Sequence, residues 1–327
     1  MRSRVAGIDA LRIVGIIGVV AGHVWWQSDL VRSLIYTWHV PLFFFLTGYF
    51  WKRKRGIAEE VAARWRSLLI PYLSWLVLIS IVFVPWLLMT GRDDGPRAVL
   101  NILIGGAHAG RPYSAFWFIT ALFFATVLLR LVQRSPLWVP AVISAGAVLV
   151  TYVVPHPIAA FPLSAGTAVP AIAFILCGYG ARNIEPAVKK PLVVAAVLLL
   201  GAAATIVLGS RSLDLKQADF GSPIIGVAVA AAIAWGLLLV STALGDRWPE
   251  AVGSRISELA RCGTGVILTH AAVLEILNTP DGGRWSDFLI ALVVPWAAMV
   301  LVARTPLAPV LLGSAQRRSA GSVAVRS

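Results

Sequence analysis

Ten apolar runs follow one another along the chain, separated by short gaps that carry most of its basic residues. A bilayer's hydrocarbon core of ~30 Å needs roughly twenty helical residues at about 1.5 Å of rise each. On that basis the candidate spans are 8–27, 37–50, 68–89, 114–131, 137–154, 162–180, 191–208, 222–244, 263–277 and 287–303. The second and ninth are short and can be tilted, extended or partly re-entrant. In lipid every backbone N–H and C=O must find a partner inside the protein, and a helix provides this within one segment. The pattern therefore predicts an all-α polytopic bundle of about ten transmembrane helices.

Composition agrees. Hydrophobic residues make up 58% of the chain and charged residues 13%. A soluble domain carries about 25% charged residues. A soluble fold this apolar would have too few polar side chains to cover its surface. The net charge of +13 raises the question of nucleic acid. The placement of the charge excludes it, because Arg and Lys sit between apolar runs rather than along one soluble face.

The same charges orient the chain. With the N-terminus in the cytoplasm, the inner segments hold twenty of the 28 basic residues and the outer segments seven, with Arg12 inside a span. Positive residues collect on the cytoplasmic side. The split predicts ten spans with both ends inside, in a bacterial plasma membrane. One transmembrane domain, 1–304, precedes a short basic tail, 305–327. Asp9, Arg12 and His23 interrupt the first run, and many spans follow it, so it does not read as a cleaved signal peptide. The segment from Trp51 through 52–66 is basic and amphipathic, suited to anionic lipid or an anionic ligand. Cys177 and Cys262 have no CxxC and no His at ligand spacing, which points to buried thiols and to no metal site.

Ionisable residues inside spans are costly and call for a role. Asp9 and Arg12 are i, i+3 neighbours that can pair. His23 lies eleven residues past Arg12, three turns plus about 20°, so both share one helix face roughly 16 Å apart along the axis. His39 and Pro41 open the second span, which runs on through Thr47-Gly48-Tyr49. Arg64 and Arg66 stand before the third span, and His270 ends the run from Thr264. Taken singly, each has a plain reading. Asp9 and Arg12 serve as interfacial anchors, His39 as an end cap, the arginines as topogenic charge, and His23 and His270 as core histidines.

Together these residues resemble the integral-membrane acyltransferase family 3, which includes glycan and antibiotic O-acyltransferases. Asp9-Ala10-Leu11-Arg12 followed by His23 fits the family's arginine, ten residues, histidine pattern. The His39–Tyr49 stretch matches its His-x-Pro-Leu-Phe-Phe segment ending in Ser/Thr-Gly-Tyr. The 64–72 stretch resembles its arginine-rich approach to the third span. Trp117-Phe118-Ile119 matches an aromatic element of the fourth, and 263–270 its late segment ending in histidine. The match spans nearly the whole chain and is similar to the fucose O-acetylase-like branch. In the late segment this chain has Cys262-Gly263-Thr264-Gly265 where the family usually carries serine and tyrosine.

The resemblance implies an acyltransferase (EC 2.3.1.-) that moves an acyl group, most naturally acetyl, from acyl-CoA to a hydroxyl. The acceptor would be a cell-surface glycan or a small molecule. Acyl-CoA would be a donor substrate, with no permanently bound cofactor. An alcohol needs a base near its operating pKa, and a neutral imidazole serves. His23 is the expected base, with His39 and His270 as further catalytic candidates. Arg12, Arg64 and Arg66 would hold the CoA phosphates, with Asp9 orienting Arg12. Thr47, Tyr49 and His39 are candidates for stabilising the oxyanion or meeting the acceptor. The rival reading is a transporter or flippase for a lipid-linked glycan, which would show inverted repeats and broken helices. No such internal symmetry is visible. The sequence carries no signal for oligomeric state.

Overall fold

Each of the ten apolar segments folds as helix, because an apolar backbone run satisfies itself that way. The computed structural model describes residues 2–90 and 95–313. Arg92 and the expected basic tail beyond Gly313, with Arg317, Arg318 and Arg326, lie outside the described residues. The chain starts with α1 (Arg2–Val24) and the single turn α2 (Asp29–Val31). A π-helical turn, Arg32–Tyr36, leads on to α3 (His39–Tyr49). Next come α4 (Ile57–Arg64), a second π-helical turn, Trp65–Leu69, and α5 (Ile70–Thr90). They are followed by α6 (Gly95–Ile104), α7 (Phe116–Val132), α8 (Trp138–Thr151) and the short α9 (Pro155–Ala159). Then come α10 (Ala165–Ile184), α11 (Pro191–Val207) and α12 (Ile225–Gly245). The chain closes with α13 (Glu250–Arg261), α14 (Gly263–Ile276), α15 (Trp285–Val302) and α16 (Ala308–Leu311). No named strand occurs among the described residues. The one β-bridge joins Asp214 and Asp219.

Six helical stretches are long and apolar enough to cross a bilayer: Ala6–Val24, Asp29–Tyr49, Ile57–Thr90, Pro162–Ala187, Ile225–Gly245 and Trp285–Val302. α13 and α14 meet at 54° and make a seventh if they form one broken span. The remaining apolar runs are shorter than expected. α7 and α11 have 17 residues each and α8 has 14. For α8 the reason is local. Pro136 lies just before it and Pro155 opens α9 just after it, and proline disfavours helix in the residue it follows.

α1 occupies the middle. In its apolar window 67% of residues are buried, against 22% for Ile57–Thr90 and for α15. It packs on α3, α12, α13, α14 and α15. This explains how it can carry Asp9, Arg12 and His23, since none of them needs to face lipid tails. α3 and α10 approach through reciprocal glycines. A Cβ on Gly48 would overlap the carbonyl oxygen of Ile175, and one on Gly178 that of Phe45. Small residues permit such backbone contact between apolar helices. The core between them is filled by Phe44, Phe45, Phe174 and Ile175, all essentially inaccessible.

Candidate functional site

Arg12 and His23 stand on the walls of two cavities that lie one beyond the other along α1. The Arg12 cavity encloses about 620 Å³ and the His23 cavity about 610 Å³. Phe43, Phe118 and Ile267 belong to the walls of both.

Basic residues dominate the Arg12 cavity. Lys52, Arg55, Arg64, Arg130 and Arg261 line it beside Arg12. Their organiser is Glu60, on α4, with a side chain only 1% exposed. Glu60 accepts from Arg64 Nε at 2.7 Å and from Arg130 Nη2 at 2.7 Å, with Arg55 at 3.4 Å. The Arg130 guanidinium lies 3.7 Å from the centroid of the Trp51 ring. The amphipathic segment after the second span therefore folds inward as a wall of this cavity. Arg12 donates to Asp9 at 2.8 Å, and the Arg12 side chain is 41% exposed. Arg66 is exposed and does not line the cavity. Lys52 and Arg55 belong to the basic segment that the sequence suits to an anionic partner, whereas Arg130, Arg261 and the buried Glu60 had no assigned part in a site. The available signal was the acidic pair Glu59-Glu60 inside an otherwise basic segment.

The His23 cavity gathers two of the three expected histidines. His23 Nδ1 is 3.0 Å from Ser114 Oγ. His23 and His39 line the wall, with Tyr36, Arg111 and Lys216 nearby. His270 is fully buried and packs edge-on against His23, ring centroids 4.9 Å apart. His39 Nδ1 lies 2.8 Å from Ile35 O and His270 Nδ1 lies 3.1 Å from Val266 O. A carbonyl can only accept, so each Nδ1 carries a proton, and in the neutral ring Nε2 keeps the lone pair. The His270 Nε2 is buried without a hydrogen-bond partner among the described residues.

The loop before α7 fixes His23 twice. Arg111 Nη2 donates to the His23 carbonyl at 2.6 Å and Nη1 to Thr279 O at 2.9 Å. Ser114 holds the ring three residues later. Neither Arg111 nor Ser114 was singled out from sequence, because both sit in a loop remote from α1 in the chain. On the opposite wall, Lys216 Nζ donates to Ala109 O at 2.6 Å. Burial pushes the Lys216 ammonium down to about 8, against the opposing pull of Asp214. Asp214 pairs with Arg32 at 3.4 Å, and burial holds its carboxyl above the usual range despite that cation.

Two other expected residues lie elsewhere. Thr47 faces the Arg12 cavity, and its hydroxyl donates to Phe43 O at 2.9 Å. The Tyr49 hydroxyl donates to Glu185, with Arg182 alongside. Neither shares the cavity of His23.

Residues 5–309 match a family described as an acyltransferase domain. The chain belongs to this acyltransferase family. The matched stretch takes in all but the first turn of α1, every later helix through α15, and the lining of both cavities except Leu312 and Gly313. Over 133 residues the chain is 28% identical to nodulation protein NolL of Mesorhizobium japonicum (strain LMG 29417 / CECT 9101 / MAFF 303099). That alignment covers 39% of this chain and 32% of NolL, so the chain spans about a third of that relative's length. No solved structure matches. Membership of this family and several helices long and apolar enough to cross a membrane are thus found in one chain.

Proposed function

We propose that this acyltransferase moves an acyl group, most naturally acetyl, from acyl-CoA in the Arg12 cavity to a hydroxyl in the His23 cavity. The supporting observation is the pair of cavities along one helix, one lined by six basic residues and the other holding His23 and His39. Arg12, Arg64 and their neighbours suit the phosphates of a CoA, because guanidinium pairs with phosphate through two parallel hydrogen bonds. The roughly 16 Å from Arg12 to His23 suits an extended pantetheine arm. Counting α7, α8, α11 and the α13–α14 pair as crossings completes ten spans. In this reading the Arg12 cavity faces the cytoplasm of a bacterial cell, as the bias of positive charge toward the inner segments favours.

In the reaction, His23 Nε2 takes the proton of the acceptor hydroxyl. The hydroxyl oxygen bonds to the thioester carbonyl carbon. The carbon–sulfur bond then breaks, and the proton passes from His23 to the leaving thiolate. The products are an ester and free CoA thiol. The reaction uses the tautomer in which His23 Nδ1–H donates to Ser114 Oγ, which leaves the lone pair on Nε2. The aromatic faces of Trp26, Tyr36 and Trp117 and the charged rim suit a sugar-like acceptor that is apolar on one face and hydroxylated at its edge. Lys216 is one of three cations lining that cavity, with Arg32 and Arg111, and the one we assign to the developing oxyanion.

The test replaces His23 with Ala and follows transfer of labelled acetyl from acetyl-CoA in membranes that hold folded protein. Loss of roughly 10²–10⁴ in rate is expected for removal of a general base. Near-normal turnover would reject the assignment.

A further inference from the structure

Among the described residues three side chains, one from each of three helices, line both cavities. They are Phe43 on α3, Phe118 on α7 and Ile267 on α14. Phe118 and Ile267 are 7% and 5% exposed, so neighbours fix both. Phe44 packs edge-on against the Phe118 ring at 5.8 Å. Phe43 is the partly buried member, its ring centroid 5.4 Å from that of Phe118. It also rests directly on the α1 backbone. A Cβ on Gly15 would come within 3.0 Å of Phe43 Cζ. Gly15 lies between Arg12 and His23, at the level where the two cavities meet.

We infer that Phe43 is the specificity-determining partition of this enzyme, closing the path between the cavities until a donor arm displaces it and thereby favouring transfer over hydrolysis. This rests on the proposed two-cavity reaction. A thioester presented to His23 reacts with whichever hydroxyl is activated there, and water qualifies. If the path between the cavities stood open, water activated at His23 could reach the thioester before an acceptor is seated, and attack would give free acid and CoA thiol in place of ester and thiol. Closing a site against water suppresses that side reaction. Phe43 can move because its ring covers a glycine rather than interlocking with side chains on α1, whereas Phe118 is held from behind.

The experiment has two arms. The first places a single reporter, Val19→Cys, on the His23 side of the partition, with Cys177 and Cys262 replaced by Ala. Vesicles are treated with a charged methanethiosulfonate on each face in turn. With Phe43 present, Val19→Cys reacts from one face only. Adding Phe43→Ala opens labelling from the Arg12 face, and Phe43→Leu, which keeps most of the bulk, stays closed. Equal two-sided labelling with Phe43 present, or no new labelling with Phe43→Ala, overturns the inference. The second arm measures thiol release from acetyl-CoA without acceptor, using the otherwise unaltered chain. Phe43→Ala raises it roughly tenfold, a barrier change within reach of one removed side chain. Unchanged release in a folded Phe43→Ala protein overturns the specificity role. If the unaltered chain transfers no acetyl at all, the proposed reaction fails, while the labelling arm still decides the partition.

Discussion

His23 is held by its backbone and by its ring, and both contacts come from one loop. Arg111 takes the carbonyl and Ser114 takes Nδ1. A histidine that only filled core space would need neither. Ser114→Ala should therefore lower kcat by roughly 10–100-fold through misorientation while leaving the KM for acetyl-CoA unchanged, as steady-state kinetics would show. A matched rise in KM would instead place Ser114 in donor binding. Lys216 makes a second residue-scale prediction. Its folded value of about 8 lies below the ordinary 10.5, so the unfolded chain binds more protons between those values. Stability contributed by this group must rise with pH through that window. Lys216→Met should flatten the rise of melting temperature between pH 8 and 10.5 in detergent. Arg12 and His23 were legible as a pair because helical periodicity places them on one face. Ser114 was not, since nothing local links a loop serine to a residue ninety positions earlier.

At the scale of elements, the α3–α10 contact decides where the aromatic wall of the site stands. Gly48 and Gly178 each face a backbone carbonyl of the other helix. An added methyl cannot be absorbed by a flexible side chain there, so the helices must separate. Gly48→Ala should destabilise by at least ~1–3 kcal/mol, the usual cost of overpacking. Gly146→Ala on α8 is the control, because a Cβ there meets nothing within 4 Å. Alanine should be neutral or mildly stabilising at that position, by up to ~1 kcal/mol of helix propensity. Thermal unfolding of the two variants side by side checks both statements. The apolar runs marked ten of the helices but not the amphipathic α4, α6 and α13 between them, and α7, α8 and α11 are shorter than their runs. Hydropathy counts apolar loop residues with the helix, whereas proline and loop hydrogen bonds set where the helix stops.

For the whole molecule, the basic wall of the Arg12 cavity depends on one carboxylate. Glu60 ties α4 to α7 through Arg130, whose side chain is 1% exposed like its own. Removing one partner of a buried pair leaves the other charge unsatisfied. Glu60→Gln should cost about 3–5 kcal/mol and weaken acetyl-CoA binding as Arg64 and Arg55 lose their anchor. Glu60→Asp should recover part of the affinity. Isothermal titration with CoA, beside a melting curve, separates the two effects. Unaltered CoA affinity in a folded Glu60→Gln protein would remove Glu60 from any positioning role.

The sequence by itself determined the solvent, the helical class and the face of α1 that carries Arg12 and His23. Those follow from local quantities: apolar run length, charge placement and the helical period. The tertiary structure decided which residues meet. It turned Arg66 outward, moved Tyr49 to Glu185 and Arg182, and brought Ser114, Arg111 and His270 to His23. It also put Phe43 on the walls of both cavities. Such contacts depend on how helices distant in sequence pack around α1, and hydropathy carries no record of that packing.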